Sequence, residues 1–105
     1  MTRGEIWLVN LDPTVGSEIR KTRPCVVVSP AELHDYLRTV LVAPMTTAGR
    51  EDPFRIGVTH GGRKGLILLA QVRAVDKARL AKKLGVVSAK TLTAALRTLQ
   101  EVFEE

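Results

Sequence analysis

The stretch from Leu66 to Val75, LILLAQVRAV, indicates the fold class of this chain. Its first half is the longest uninterrupted apolar run in the sequence, and its second half alternates between apolar and polar side chains. A continuous apolar run is typical of a buried strand, and alternation is typical of a strand with one buried face. We therefore predict one long strand or two strands joined at a bend, with Gln71 and Arg73 on the polar face.

Four segments before this stretch have the composition of short strands. They are rich in β-branched and other apolar residues, and turn residues such as Asp12-Pro13 separate them. We expect Pro44 to end the third of them, because proline lacks the N–H group that a strand ladder uses. The four predicted strands are Ile6–Val9, Cys25–Val28, Thr39–Ala43 and Phe54–Val58.

Two segments favour helix. Ser29-Pro30 matches an N-cap followed by proline at the first helical position, which predicts one or two helical turns over Ala31–Leu37. Closer to the carboxy terminus, Ser88 is a suitable N-cap for a longer helix. The apolar residues that follow it form the single stripe of an amphipathic helix, and they are Leu92, Ala95, Leu96, Leu99 and Phe103.

This order of elements predicts a mainly β (α+β) fold. Five or six short strands would form a small β-barrel or curled sheet, with the terminal helix packed on it, and partial closure would protect the strand edges. The length of 105 residues fits one domain over residues 1–105, since two halves would each be too small to bury a sound core.

Charge and hydropathy narrow the class of partner. The chain has 16 Lys and Arg against 11 Asp and Glu, and three of those acids lie in the last five residues, so residues 1–100 carry a net charge of +8. A small basic domain is typical of proteins that bind nucleic acid, although the same charge also serves solubility.

No apolar run in the sequence is long enough to span a membrane. The start also lacks the apolar region of a signal peptide, which favours a cytoplasmic protein.

Several kinds of chemistry have no support in the sequence. Cys25 is the single cysteine, and no cysteines or histidines have zinc-binding spacing. We expect Cys25 to be an inert core thiol, and we expect His34 and His60 to be surface loop residues with no serine or cysteine beside them to activate. The carboxylates form no cluster that would hold two metals, so we predict neither a metal site nor a cofactor.

Three polar positions remain as candidates for a site. Arg23 precedes Pro24 at the mouth of a buried strand, Glu18 lies in the charged loop before it, and Thr46-Thr47 follow the third strand. Each has an ordinary explanation as a turn or loop residue. The connectivity alone does not bring Arg23 to Thr46, but a curled sheet would allow both loop ends to lie on one rim.

An ordered set of segments resembles the MazF/PemK family of toxin ribonucleases. No single dipeptide is specific, but the set follows the family's order over most of residues 4–80. One departure is Ile19, where many members have glutamine, so the resemblance does not fix the RNA sequence that would be recognised. The segments are GEIWLVNLDP at 4–13, Gly16–Glu18, Arg23-Pro24, Val26–Pro30, Pro44–Thr47 and Gly65–Asp76.

The resemblance implies a specific activity. The family has an SH3-like barrel with a carboxy-terminal helix, acts as a homodimer, and is inhibited by a cognate antitoxin that covers its active groove. It cleaves single-stranded RNA without metal, leaving a 2′,3′-cyclic phosphate (or 3′-phosphate) and a 5′-hydroxyl. By position, the catalytic residues fall on Arg23, Thr46 and Glu18, and the residues expected to bind RNA are Ser17, Arg20, Lys21, Thr47, Gln71 and Arg73.

Two other functions and the proton transfers stay open at this point. A gyrase-poisoning toxin of the same fold and a noncatalytic RNA-binding barrel are both compatible with the composition. If the protein is a nuclease, the Arg23 guanidinium suits charge stabilisation or acid catalysis better than proton acceptance, because an arginine side chain is a poor base in water. Glu18 is chemically an easier base, but the sequence does not assign the role.

Overall fold

The computed structural model describes residues 1–12 and 21–105. Within these residues, one antiparallel sheet carries most of the chain, and 3₁₀ turns at Leu69–Gln71 and Lys77–Arg79 flank its sixth strand. The helices are α1 (Ala31–Tyr36) and α2 (Ala89–Val102). The strands are β1 (Glu5–Asn10), β2 (Thr22–Val27), β3 (Thr39–Thr46), β4 (Arg55–His60), β5 (Arg63–Leu68), β6 (Arg73–Asp76) and β7 (Leu80–Val86).

Strand β3 is the centre of the sheet. The strand order is β4-β5-β3-β2-β1-β7, and β6 also pairs with β3. Along one edge, β3 pairs with β2; along the other, its residues 39–42 pair with β6 and Met45 and Thr46 pair with β5. The sheet curls until β4 approaches β7, where a Cβ on Gly85 would lie 2.9 Å from the His60 ring. The prediction of a curled, mainly β sheet with a carboxy-terminal helix is confirmed.

Both faces of the central strands are buried. Alternate side chains of β2 and β3 enter two separate apolar clusters, which explains why these strands have continuous apolar sequences rather than alternating ones. Helix α2 covers the first cluster with Ala95 and the half-buried Leu92 and Leu99. The first cluster includes Ile6, Val26, Val28, Ala43, Met45, Ile67 and Leu69, and the second consists of Val9, Leu11, Cys25, Val27, Val40, Val42 and Val75.

Strand β3 continues through Pro44, so the prediction that Pro44 ends it is wrong. Pro44 lies opposite Cys25 of β2, and on its other edge it lies between the residues that pair with β6 and those that pair with β5. A residue without an N–H group is tolerated where a strand changes partners.

The stretch Leu66–Val75 forms two strands, the second of the two predicted arrangements. Strand β5 ends at Leu68, a 3₁₀ turn follows, and β6 begins at Arg73. Gln71 lies in that turn and not on the face of a strand. Strand β7 was not predicted, because two register shifts in its pairing with β1 disrupt the period of two and Lys82-Lys83 interrupt its apolar pattern.

Both predicted helices are present, and the predicted N-cap is confirmed for Ser88 but wrong for Ser29. The Ser88 side chain accepts a hydrogen bond from the Thr91 N–H and caps α2, but the stripe stops short of Phe103, which is 73% exposed. Pro30 is the N-cap of α1, and the Ser29 hydroxyl makes no cap; it accepts instead from the Leu41 N–H at 3.0 Å.

His34 is buried beside Ser29, which corrects the expectation of a surface histidine with no serine next to it. Its Nε2 lies 2.6 Å from Ser29 Oγ, and its Nδ1 lies 3.2 Å from the Met1 carbonyl oxygen. A carbonyl only accepts, so Nδ1 carries the proton and the Ser29 hydroxyl donates to Nε2. Ser29 is 2% exposed. The pair therefore joins α1 to the sheet and the amino terminus and offers no accessible nucleophile.

His60 also departs from the predicted surface loop position. It is the last residue of β4 and is half-buried against Gly85.

Among the described residues, no helix has both the length and the hydropathy needed to cross a membrane.

A buried carboxylate stabilises the start of the sheet. Glu5 is 8% exposed and accepts hydrogen bonds from the Trp7 indole N–H at 2.9 Å and the Thr2 hydroxyl at 2.7 Å, and its carboxylate is 3.2 Å from the Lys83 ammonium. Burial raises the pKa of this carboxyl, but these partners outweigh burial and lower the pKa from 4.5 to about 2. The charged form is therefore favoured in the folded protein.

We expect this carboxylate to make stability depend on pH in the acid range. Since its pKa is lower in the folded state, its contribution is complete above the unfolded value and is lost as pH falls from 4.5 to about 2. The shift corresponds to about 3 kcal/mol at most. Glu5→Gln should lower the free energy of unfolding at pH 7 and flatten its fall below pH 4.5, as measured by denaturant titration across pH. The exposed Glu104→Gln should leave the curve unchanged, and equal slopes in Glu5→Gln and wild type would contradict the assignment.

Candidate active site

Arg23 combines a fixed backbone with an exposed side chain. It lies in β2 opposite Val9 of β1, whose side chain is completely buried. The Cys25 thiol donates to the Arg23 carbonyl oxygen at 3.5 Å. The strand thus holds the main chain at this position while the guanidinium extends into solvent.

Thr46 is the last residue of β3, and its hydroxyl oxygen accepts one hydrogen bond within the protein. Its Oγ1 accepts from the Ala48 N–H at 3.2 Å, so its own proton remains available for donation. The backbone of Thr46 is in close contact with Gly65 of β5, since a Cβ on Gly65 would lie 2.9 Å from the Thr46 carbonyl oxygen. Only glycine permits this approach without displacing the strand.

The pairing of β2 with β3 relates Arg23 to Thr46. The observed pairs are Cys25–Pro44, Val26–Ala43 and Val27–Val42. These pairs end at Cys25–Pro44, and Arg23 and Thr46 each lie two residues beyond that last pair on their own strands, so both are at the same end of the β2–β3 ladder. The pairing of the two strands thereby relates two residues that the connectivity alone did not bring together.

Arg73 lies on the same side of the sheet as Cys25. Arg73 lies in β6, opposite Val42 of β3, and its Nη1 donates to the Leu11 carbonyl oxygen at 3.2 Å. Burial raises the pKa of the Cys25 thiol to about 12, and the positive charge of Arg73 offsets part of this rise. The thiol is therefore neutral near pH 7 and unsuited to nucleophilic catalysis, as expected of a core cysteine.

The other residues expected to bind RNA occupy different settings. Lys21 is exposed with a positive φ of 67°; its N–H donates to Asp12 Oδ1 and its carbonyl accepts from the Leu11 N–H, both at 3.0 Å. Thr47 lines a cavity of about 950 Å³ between β4, β5 and the start of α2. Gln71 is half-buried in the turn before β6. Ser17, Glu18 and Arg20 lie outside the described residues.

Three described residues of the candidate site have hydrogen-bond donors. Arg23, Thr46 and Arg73 offer guanidinium and hydroxyl groups, which are suited to phosphate oxygens. Within residues 1–12 and 21–105, no group of three or more His, Cys, Asp or Glu side chains is arranged to hold a metal ion.

Two residues of this region were not found by sequence reasoning. Gly65 touches the backbone of Thr46, and Arg79 donates from Nη1 to the Asn10 carbonyl oxygen at 3.3 Å and to the Asp12 carbonyl oxygen. A contact between residues about 70 positions apart leaves no local pattern. The one available signal for Arg79 was its place at the end of a 3₁₀ turn that Asp76 precedes, where the Asp76 carboxylate accepts from the Ala78 N–H.

Comparison with known proteins identifies the family. The family model described as PemK-like, MazF-like toxin of type II toxin-antitoxin system matches residues 2–103. The endoribonuclease PemK of Escherichia coli is 41% identical over 90 residues, which cover 80% of this chain and 68% of PemK. The endoribonuclease toxin ChpB of Escherichia coli (strain K12) is 38% identical over 109 residues, covering 97% of this chain and 93% of ChpB.

The fold is that of a relative with a solved structure. The crystal structure of MazF from Deinococcus radiodurans matches with a TM-score of 0.86 and 25% identity, over 97% of this chain and 94% of that chain. By both sequence and fold, this chain belongs to the family of PemK-like and MazF-like toxins of type II toxin–antitoxin systems.

Proposed function

We propose that this protein is a toxin that acts in the cytoplasm, cleaves single-stranded RNA (mRNA) at short sequences, and is inhibited by a cognate antitoxin. Its membership of the toxin family and the endoribonuclease names of its relatives support this activity. The observation that carries the proposal is the pairing of β2 with β3, which brings the exposed Arg23 and Thr46 to the same end of the two strands. Two donors of the kind that phosphate requires are thus arranged on neighbouring strands.

The proposed reaction uses the RNA as its own nucleophile. The 2′-hydroxyl gives its proton to a base as its oxygen forms a bond to the adjacent phosphorus. The bond from phosphorus to the 5′-oxygen breaks, and the leaving oxygen takes a proton from an acid to become a 5′-hydroxyl. The other product is a 2′,3′-cyclic phosphate. Because the attacking group belongs to the same sugar, the reaction needs no metal-bound water and no cofactor.

Arg23 and Thr46 are assigned to charge stabilisation. The phosphorane carries more negative charge than the phosphodiester, so donors that bind it more tightly accelerate the step. The guanidinium offers a fixed fork to two oxygens, and the Thr46 hydroxyl adds a third donor. Glu18 is proposed as a third catalytic residue by family position alone, and Ser17, Arg20, Lys21, Thr47, Gln71 and Arg73 are proposed to contact the RNA.

The test begins with a mixed RNA transcript in EDTA, followed by mapping of the ends. We expect cuts that leave 2′,3′-cyclic phosphate and 5′-hydroxyl ends. Arg23→Ala should cut at least ~100-fold more slowly with unchanged thermal unfolding, and Arg23→Lys should also be poor, because it lacks the fork. Near wild-type cutting by a folded Arg23→Ala protein would refute the assignment.

A second arm of this test isolates the nucleophile. An oligonucleotide spanning the mapped site, with the single 2′-hydroxyl at the cut replaced by hydrogen, should bind but remain whole, since phosphate contacts supply most of the affinity. Cutting of this oligonucleotide, or cutting that requires magnesium, would refute the mechanism. Intact RNA with trapped cleaved DNA would identify a gyrase poison, and binding without any cutting would identify an RNA-binding module.

A pair of glycines tests the contact behind Thr46. Gly65 and Gly57 are both half-buried and lie on the paired strands β5 and β4. Gly65→Ala should slow cutting by ~10-fold because its Cβ would displace the Thr46 backbone, and small misplacements at a reacting centre are costly. Gly57→Ala should retain activity, since its Cβ would meet the side chain of the exposed Glu51, which can move aside. Equal rates for the two variants at matched stability would refute a role for this contact.

We also propose that the protein acts as a homodimer. Within the apolar stretch 66–76, Leu66–Leu69 are buried in the protomer's own core and are not available to an interface. Leu41 is 37% exposed and lies opposite Ala74 of β6, and both line an apolar cavity of about 370 Å³ with Val72 and Phe103. This surface, formed by residues of β3, β6 and the end of α2, is the region we assign to the dimer.

Light scattering should therefore report twice the mass of one chain at micromolar concentration. Leu41→Glu should shift the protein to a monomer by burying an unpaired charge in the interface. Tyr36→Ser is the control, because Tyr36 is 87% exposed and lies outside this surface. A wild-type monomer that still cuts RNA would contradict both the dimer and a groove shared between subunits.

A further inference from the structure

Two arginines hold the end of β1 by its main chain. Arg79 donates from Nη1 to the carbonyl oxygens of Asn10, at 3.3 Å, and of Asp12. Arg73 donates from Nη1 to the intervening Leu11 carbonyl oxygen at 3.2 Å. Three consecutive carbonyl groups are thus bound by two guanidinium groups that come from different elements of the fold.

Arg79 takes the place of a missing strand partner. The pairing of β1 with β7 ends at Val9 opposite Leu80, so the residues after Val9 have no ladder partner in β7. Arg79 immediately precedes Leu80, and its side chain extends along β1 to the next carbonyl groups. A guanidinium has several donors in a fixed plane and never loses its charge near neutral pH, so it can hold two carbonyls at once.

The turn before β7 fixes the backbone position from which the Arg79 side chain extends. Asp76 Oδ1 accepts from the Ala78 N–H at 2.8 Å, and the Leu80 N–H donates to the Lys77 carbonyl oxygen. These bonds close the 3₁₀ turn Lys77–Arg79. Arg79 therefore projects from a defined backbone position.

The part of β1 that Arg79 holds is the part that pairs next to Arg23. Asn10 is opposite Thr22, and Val9 is opposite Arg23. Beyond these pairs, the Leu11 N–H donates to the Lys21 carbonyl oxygen, and the Lys21 N–H donates to Asp12 Oδ1, both at 3.0 Å. Displacement of the chain at Asn10 or Asp12 would consequently be transmitted to the main chain that carries Arg23.

We propose that Arg79 is a positioning residue for the RNA-cleavage reaction: by holding the Asn10 and Asp12 carbonyls, it fixes the β1–β2 pairing that places the Arg23 guanidinium. This inference rests on the proposed function. Arg79 acts on Arg23 through the backbone of the two strands and contributes no donor to the phosphate. Its loss should therefore lower the rate of the chemical step more than the affinity for RNA.

The test compares Arg79→Ala, Arg79→Lys and Arg97→Ala. Arg97 is exposed on α2, so its replacement removes the same charge without touching β1. We expect Arg79→Ala to lower kcat by ~10-fold with KM within ~3-fold of wild type, the pattern of an interaction needed only for the transition state. Arg79→Lys should recover most of the rate, because an ammonium can still donate to carbonyl oxygens, and Arg97→Ala should match wild type.

Hydrogen exchange supplies a readout that is independent of activity. In Arg79→Ala, the amides of Leu11 and Lys21 should exchange faster than in wild type, and Arg79→Lys should restore their protection. Unchanged exchange, unchanged kcat, or a rise in KM alone would overturn the proposal, the last because it would make Arg79 a contact for RNA. If the wild-type protein cuts no RNA, the proposed function fails, and the exchange of these two amides still decides whether Arg79 holds the strand.

Discussion

The pairing of β3 with three other strands is the constraint on which the rest of the structure depends. One edge of β3 holds β2, and the other holds β6 and then β5, so the sheet can bend where the partner changes. Pro44 lies at that change, at a position where its missing N–H group costs no ladder bond. The same pairing buries both faces of β2 and β3, and α2 closes one of them. The fold and the site therefore share a single origin, because the end of β3 is also where Thr46 lies.

The physical setting of Arg23 gives its side chain a rigid attachment to the sheet. Val9 is fully buried opposite it, and the fully buried Cys25 follows two residues later on the same face. The guanidinium itself stays in solvent, where its charge is not penalised by desolvation. Preorganised catalysis needs a rigid main chain that carries an exposed charged side chain, since the main chain then does not have to be ordered during the reaction.

Sequence reasoning predicted the features that depend on local pattern. The apolar runs of β1, β2, β3 and β5, the stripe of α2 and its Ser88 cap each follow from residues close together in the chain. It failed where distant residues decide the outcome. Strand β7 pairs with β1 through two register shifts that hide its alternation, Pro44 is tolerated because of partners on other strands, and His34 is buried because Ser29 and Met1 satisfy its ring nitrogens.

The site shows the same division between local and distant information. The resemblance to the toxin family singled out positions 23 and 46, but only the β2–β3 pairing relates the two strand ends that carry them. The supporting contacts are of longer range still: Gly65 is needed because β5 brings it against the Thr46 carbonyl, and Arg79 reaches carbonyl groups nearly 70 residues earlier in the chain. Neither contact produces a periodicity or a motif, since each depends on how the sheet curls. In a small fold with one central strand, contacts such as these are therefore found from the pairing of strands and not from the pattern of the sequence.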